Sequence, residues 1–76
     1  MTTRARVLDI LAEEFGKPWD EIHDAHTLAD LGDSLEFLEA LIVIENEYSI
    51  EITYREQDAA NTVGKLVALV ERKVGA

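Results

Sequence analysis

The sequence predicts an all-α fold, a small bundle of four helices of which the third is short. Apolar residues recur at helical spacing over most of the chain, and turn-forming residues are few, with four Gly and one Pro. The one stretch that alternates like a strand, Ile50-Glu51-Ile52-Thr53, has no second strand to pair with. At 76 residues the chain has room for one domain, spanning 1–76, and for no second core.

Val7, Leu8, Leu11 and Phe15 line one side of a first helix from about Thr3 to Phe15, which Gly16 and Pro18 stop. The stretch from Gly16 to Gly32 is long for a loop in so small a domain. Trp19, Ile22, Leu28 and Leu31 give it anchors to tuck against the helices, so an ordered loop is expected. Gly32 then breaks the chain, Asp33 is a good N-cap, and Glu36 stands where a capping box needs it, which puts Ser34 on the first turn of a second helix.

From Leu35 to Tyr48 this helix is apolar around most of its circumference, with Glu36, Glu39, Val43, Asn46 and Glu47 as a narrower, mainly acidic stripe. That describes a central helix with one exposed edge. Leu38 and Ile42 are accordingly read as core, and Leu35 as the exposed member of the set. Ile50 to Thr53 reads as an extended connector, and a short helical turn around Glu56 to Ala60 follows. Val63, Leu66, Val67, Val70 and Val74 then give the spacing of a last amphipathic helix, with Asn61 or Thr62 as N-cap and Gly75 after its last turn.

Charge is unevenly placed. The net charge is −9, and the seven basic residues are Arg4, Arg6, Lys17, Arg55, Lys65, Arg72 and Lys73, so nothing between Pro18 and Tyr54 is positive. Ten acids fill that gap: Asp20, Glu21, Asp24, Asp30, Asp33, Glu36, Glu39, Glu45, Glu47 and Glu51. Their repulsion works against the fold unless an outside cation offsets it. Nucleic acid is a poor partner for such a chain, because phosphate binding needs clustered Lys and Arg; basic protein surfaces fit better. No apolar run approaches the ~18 residues of a membrane span, and Met1-Thr2-Thr3-Arg4 lacks an apolar signal segment, so a soluble, cytoplasmic protein is expected. Cysteine is absent, which excludes disulfides and Cys-based metal sites.

Gly32-Asp33-Ser34-Leu35 allows two chemistries, a serine nucleophile or a hydroxyl that is itself modified. The four residues match the nucleophile block of GDSL-type esterases literally. Those enzymes take their histidine from a downstream D-x-x-H block, whereas His23 and His26 both precede Ser34 and no histidine follows it. Asp20-Glu21-Ile22-His23 spells D-x-x-H on the wrong side of the serine, in a chain too small to build a substrate cleft and oxyanion hole around it. No catalytic residue is assigned. His23 and His26 with Asp20 and Asp24 are too loosely spaced for a metal site, and no EF-hand spacing is present, so no metal ligand is assigned either.

Asp30-Leu31-Gly32-Asp33-Ser34-Leu35-Glu36, followed by Leu38-Glu39-Ala40-Leu41, then Ile44-Glu45-Asn46-Glu47-Tyr48 and Ile50-Glu51-Ile52, closely resembles the acyl carrier proteins. Arg6-Val7 with Phe15-Gly16, and Thr62-Val63, extend the resemblance over nearly the whole chain. It implies a four-helix bundle of acyl-carrier type, with a long ordered loop between the first and second helices. It also implies that Ser34 receives 4'-phosphopantetheine from coenzyme A through a phosphodiester made by a separate, Mg2+-dependent phosphopantetheinyl transferase. The expected role is that of a non-catalytic monomer presenting acyl thioesters to acyl-loading, elongating or acyltransferase enzymes of fatty-acid, polyketide or related biosynthesis. Aminoacyl, peptidyl and D-alanyl carriers share the same serine and bundle.

Two physical features of the sequence suit that implication. A helix N-terminus favours an anionic phosphate at Ser34, and the preceding Gly32 is read as keeping the approach open to a transferase. Asp33, Glu36 and Glu39, with Leu35 beside them, are the residues expected to meet basic patches on partner enzymes in fast, salt-sensitive encounters. Four departures from the usual family pattern point to a specialised carrier. They are the direct Gly32-Asp33 junction, Thr53 in place of a common proline, Arg55 at a usually acidic position, and Ala60 in place of a larger aliphatic residue. Ala59 and Ala60 also leave room for internal space near the last helix.

Overall fold

A computed structural model describes residues 2–75. Among them are five α-helices: α1 (Thr3–Phe15), α2 (Leu28–Leu31), α3 (Ser34–Tyr48), α4 (Tyr54–Ala59) and α5 (Val63–Gly75). The four expected helices are α1, α3, α4 and α5; α2 is a single turn inside the long loop. Extended pairing among the described residues is limited to one isolated antiparallel bridge between Thr27 and Thr62.

Each helix end follows from its local residues. Thr2 caps α1 by accepting a hydrogen bond from the Ala5 N–H at 3.0 Å, and Gly16 closes it in the left-handed region at φ 65°, where glycine carries no Cβ penalty. The helix packs against α3 and α5. Val7, Ile10 and Leu11 meet Ala40, Leu41 and Ile44 from α3 and Val63, Leu66, Val67 and Val70 from α5 in one apolar core. No polar or charged residue is buried among the described residues.

The loop between α1 and α3 is ordered, as expected, but more regular than its sequence suggested. It holds a 3-10 turn at Trp19–Glu21 and then α2, capped by Thr27, whose Oγ1 accepts from the Asp30 N–H at 3.2 Å. Ile22, Leu28 and Leu31 are buried anchors. Trp19 is not: it lies 44% exposed, with its indole N–H donating to Asp9 Oδ1 at 3.3 Å. A large ring with a polar N–H is accommodated better against the outer side of α1 than in a core without a polar partner.

Backbone groups fasten this loop to the start of α5. The carbonyls of His26 and Asp24 accept from the N–H groups of Val63 and Gly64, each at 3.0 Å, and the Asn61 carbonyl accepts from Leu28 at 3.0 Å. First-turn N–H groups of a helix have no internal partner, so the loop supplies what α5 itself cannot. Gly64 permits the close approach, since a Cβ there would lie 3.2 Å from that of Asp24. Thr62, rather than Asn61, caps α5, its Oγ1 accepting from Lys65 at 3.2 Å. Gly75 lies within the helix instead of after it.

Ile50 to Thr53 runs as an unpaired connector, in agreement with the sequence reading. It is held by Glu45, whose Oε2 accepts from the Ile52 N–H at 2.8 Å. Thr53 then opens α4 in a capping box with Glu56, through bonds of 3.2 and 2.9 Å, so the threonine at this position has a structural task of its own.

The acidic stretch is less isolated in space than in sequence. Arg6 reaches Asp9 at 3.2 Å and Glu47 at 3.1 Å, and Arg4 bonds Asp24, so two of the gap's acids are paired from α1. These hydrogen bonds hold the Glu47 and Asp24 carboxyls below their ordinary range. Glu56 is shifted further, to about 2, first by the Thr53 backbone N–H and then by Lys73 at 2.9 Å. Because its folded value lies below the ordinary 4.5, its contribution to stability is complete above that pH and is lost as pH falls toward 2. Glu56→Gln should therefore melt below the parent near neutral pH, with the gap closing on acidification; a gap independent of pH would contradict this assignment.

Candidate functional site

Ser34 is the first residue of α3. A reciprocal capping box fixes the chain as it enters: Asp33 Oδ1 accepts from the Glu36 N–H at 2.9 Å, and Glu36 Oε1 accepts from the Asp33 N–H at 3.0 Å. The box was legible in the sequence. With Asp33 at N-cap, Ser34 is held exposed at the positive end of the helix dipole, where N–H groups without intrahelical partners favour an anion.

Gly32 has a task beyond the one expected. It is half-buried and lines the groove beside Ser34, and a Cβ there would lie 2.4 Å from both Phe15 Cδ1 and Glu36 Oε1. Its φ of −177° is ordinary extended backbone, so the requirement is for room alone. The direct Gly32-Asp33 junction thus clamps the start of α3 onto the end of α1. Gly32→Ala should cost about 1–3 kcal/mol through overpacking against a buried aromatic ring, seen as a lower melting temperature. An unchanged melting curve would show that Phe15 and Glu36 can yield without cost.

Beside Ser34 lies a groove of about 440 Å³, walled by the α2 segment, α3 and α4. Leu28 and Phe37 supply its apolar surface, while Thr27, Gln57, Asp58 and Asn61 add polar edges. An accessible hydroxyl, a helix N-terminus that favours an anion and a mixed groove therefore lie side by side. No histidine lines this groove. His23 and His26 instead face each other in the loop, ring centroids 5.0 Å apart, with the His23 N–H donating to His26 Nδ1 at 3.2 Å. Among the described residues no group of three or more His, Cys, Asp or Glu is placed to hold a metal ion.

The outer face of α3 corrects the sequence reading more substantially. Leu35 is exposed as expected, at 63%, but Leu38 and Ile42, read as core, are 44% and 55% exposed. Among the described residues only Ala40, Leu41 and Ile44 of this helix are buried, where it packs against α1 and α2. Leu35, Leu38 and Ile42 at i, i+3 and i+7 therefore form an apolar stripe. Glu39 is exposed among them. Asp33 and Glu36, both assigned to docking from sequence, are also bonded in the capping box, so Glu39 is the freer charge.

Residues 5–70 match the family model described as phosphopantetheine attachment site. The chain belongs to this family, the carrier domains that bear 4'-phosphopantetheine, and within it to the acyl carrier proteins. It is 38% identical over 74 residues to the acyl carrier protein of Streptococcus thermophilus (strain CNRZ 1066), covering 96% of this chain and 97% of that one. The acyl carrier protein of Streptococcus pyogenes serotype M1 is similar to the same extent, 38% over 74 residues. That of Buchnera aphidicola subsp. Acyrthosiphon pisum (strain Tuc7) is 34% identical over 70 residues, 90% of this chain and 88% of its own. Membership implies dealings with a phosphopantetheinyl transferase and with biosynthetic enzymes. No helix among the described residues is long and apolar enough to cross a membrane.

Proposed function

We propose that Ser34 is the attachment residue and that the protein shuttles acyl intermediates of fatty-acid, polyketide or related biosynthesis between enzymes, as a monomer in the cytoplasm. The exposed Ser34 at the capped start of α3, opening onto the adjoining groove, is the observation that carries this reading. When attached, the prosthetic group supplies a terminal thiol that holds the acyl chain as a thioester. The chain's own residues do the rest. Asp33 and Glu36 fix the helix start, the α3 N-terminus favours the phosphate, and Thr27, Gln57 and Asn61 offer hydrogen bonds along the groove to the amides of the arm.

Leu28 and Phe37 can shield part of an apolar cargo, at about 0.8 kcal/mol for each methylene removed from water. Because the groove opens to solvent, the cargo can be withdrawn by a partner without unfolding the bundle. Trapping the native thioester by mass spectrometry tests the assignment: an acyl group supports it, and an aminoacyl or D-alanyl group would overturn it in favour of those carriers.

Docking falls to the outer face of α3, where Leu35, Leu38 and Ile42 give apolar contact and Glu39 gives charge. Exposed charges mainly set encounter rate and salt sensitivity. Glu39→Lys should therefore slow loading by a basic transferase several-fold at low ionic strength, with the difference shrinking in high salt and circular dichroism unchanged. Equal rates at low salt would remove Glu39 from the docking surface.

A further inference from the structure

A second groove, of about 390 Å³, lies between α4 and α5 on the far side of α4 from the Ser34 groove. Ala59, Ala60, Ala68 and Leu69 form its apolar surface, and it opens to solvent rather than into the bundle interior that Ala59 and Ala60 suggested. Arg55, Lys65 and Arg72, three of the seven basic residues, line it. Arg4, Arg6 and Lys73 are each paired with a carboxylate, whereas these three have no carboxylate within ion-pair distance among the described residues. The one acid on the groove wall, Glu56, is already bonded to Lys73. A chain of net charge −9 thus gathers three of its four unpaired cations around one apolar recess, the fourth being Lys17.

We propose that this groove is a docking surface for an acidic segment of a partner protein that carries an apolar side chain. Charge complementarity selects the sign, and the alanine-lined floor selects the apolar anchor. An extended polyanion fits less well, because a membrane surface or a nucleic acid would also face the excess negative charge of the rest of the chain within a Debye length of ~8–10 Å. A short acidic segment meets only the patch. With an acidic edge on α3 and a basic recess between α4 and α5, a partner that contacts both is oriented about the carrier as well as attracted to it. This surface does not depend on what Ser34 carries.

The probe is a fluorescein-labelled peptide of alternating Asp, Glu and Leu, titrated with the intact protein by fluorescence anisotropy at low salt. The protein should bind it about tenfold more tightly than an Arg55→Ser/Lys65→Ser/Arg72→Ser variant, an effect on the scale of three modest rim charge pairs. It should also prefer it to a peptide with every Leu replaced by Ser. On the parent protein, which needs no variant to fold, amide shifts on adding the peptide should centre on Ala59, Ala68 and Leu69. Equal binding by the variant, equal binding of the Ser peptide, or shifts centred elsewhere would each overturn the proposal. So would tighter binding to phosphatidylglycerol vesicles than to the peptide, or self-association in sedimentation equilibrium that the triple variant abolishes.

Discussion

Ser34→Ala is expected to abolish attachment of phosphopantetheine while changing stability by no more than about 0.5 kcal/mol, the usual range for an exposed position. The loss should be complete, because the other aliphatic hydroxyls are worse placed: Thr3 also opens a capped helix but is half-buried where Ser34 is exposed. Thr2, Thr27, Thr53 and Thr62 are each N-caps whose Oγ1 already accepts a backbone N–H. Ser49 sits at the opposite end of α3, in the left-handed region at φ 54°, where the helix dipole disfavours a phosphate. Incubation with coenzyme A, Mg2+ and a transferase, read by intact mass, checks this. Residual loading of the variant would mean that helix position does not select the site.

Leu66→Ala is expected to have the largest effect on the fold. Leu66 has no exposed surface and stands on α5 in the core shared with α1 and α3. Truncating a leucine there costs about 2–5 kcal/mol, from lost transfer energy and the cavity left behind. Against a total of roughly 4–11 kcal/mol for a chain of 76 residues, that removes much of the stability. Leu38→Ala deletes the same atoms from an exposed position, and its effect should stay within about 0.5 kcal/mol. Denaturant melts of the pair check the account, and similar losses would show that Leu38 is packed after all.

The contrast between those two leucines marks where the sequence was readable. The last helix carries an apolar stripe, so Val63, Leu66, Val67 and Val70 could be placed in the core from spacing alone, although its last member, Val74, is exposed and the buried Leu69 lies outside it. In α3 apolar residues surround the helix, and spacing cannot tell a leucine facing a neighbour from one facing solvent; only the packing of α1 against one side decides. The Ser34 site was legible because it is local: Gly32, Asp33 and Glu36 spell a helix start. Even there, the reason for Gly32 was not, since the Phe15 ring that excludes a Cβ lies 17 residues away in sequence. The one-turn α2 had a signal that passed unread, Thr27 three residues before Asp30. The second groove depends on α4 lying against α5, a relation no local pattern records.

The attachment of the arm to Ser34 is tested most directly by counting thiols, because the chain has no cysteine. The unloaded protein should contain no titratable thiol, and after transfer from coenzyme A and removal of the excess it should contain one per chain, carried on the peptide that includes Ser34. No thiol after treatment with several transferases, or a thiol on any other peptide, would contradict the account.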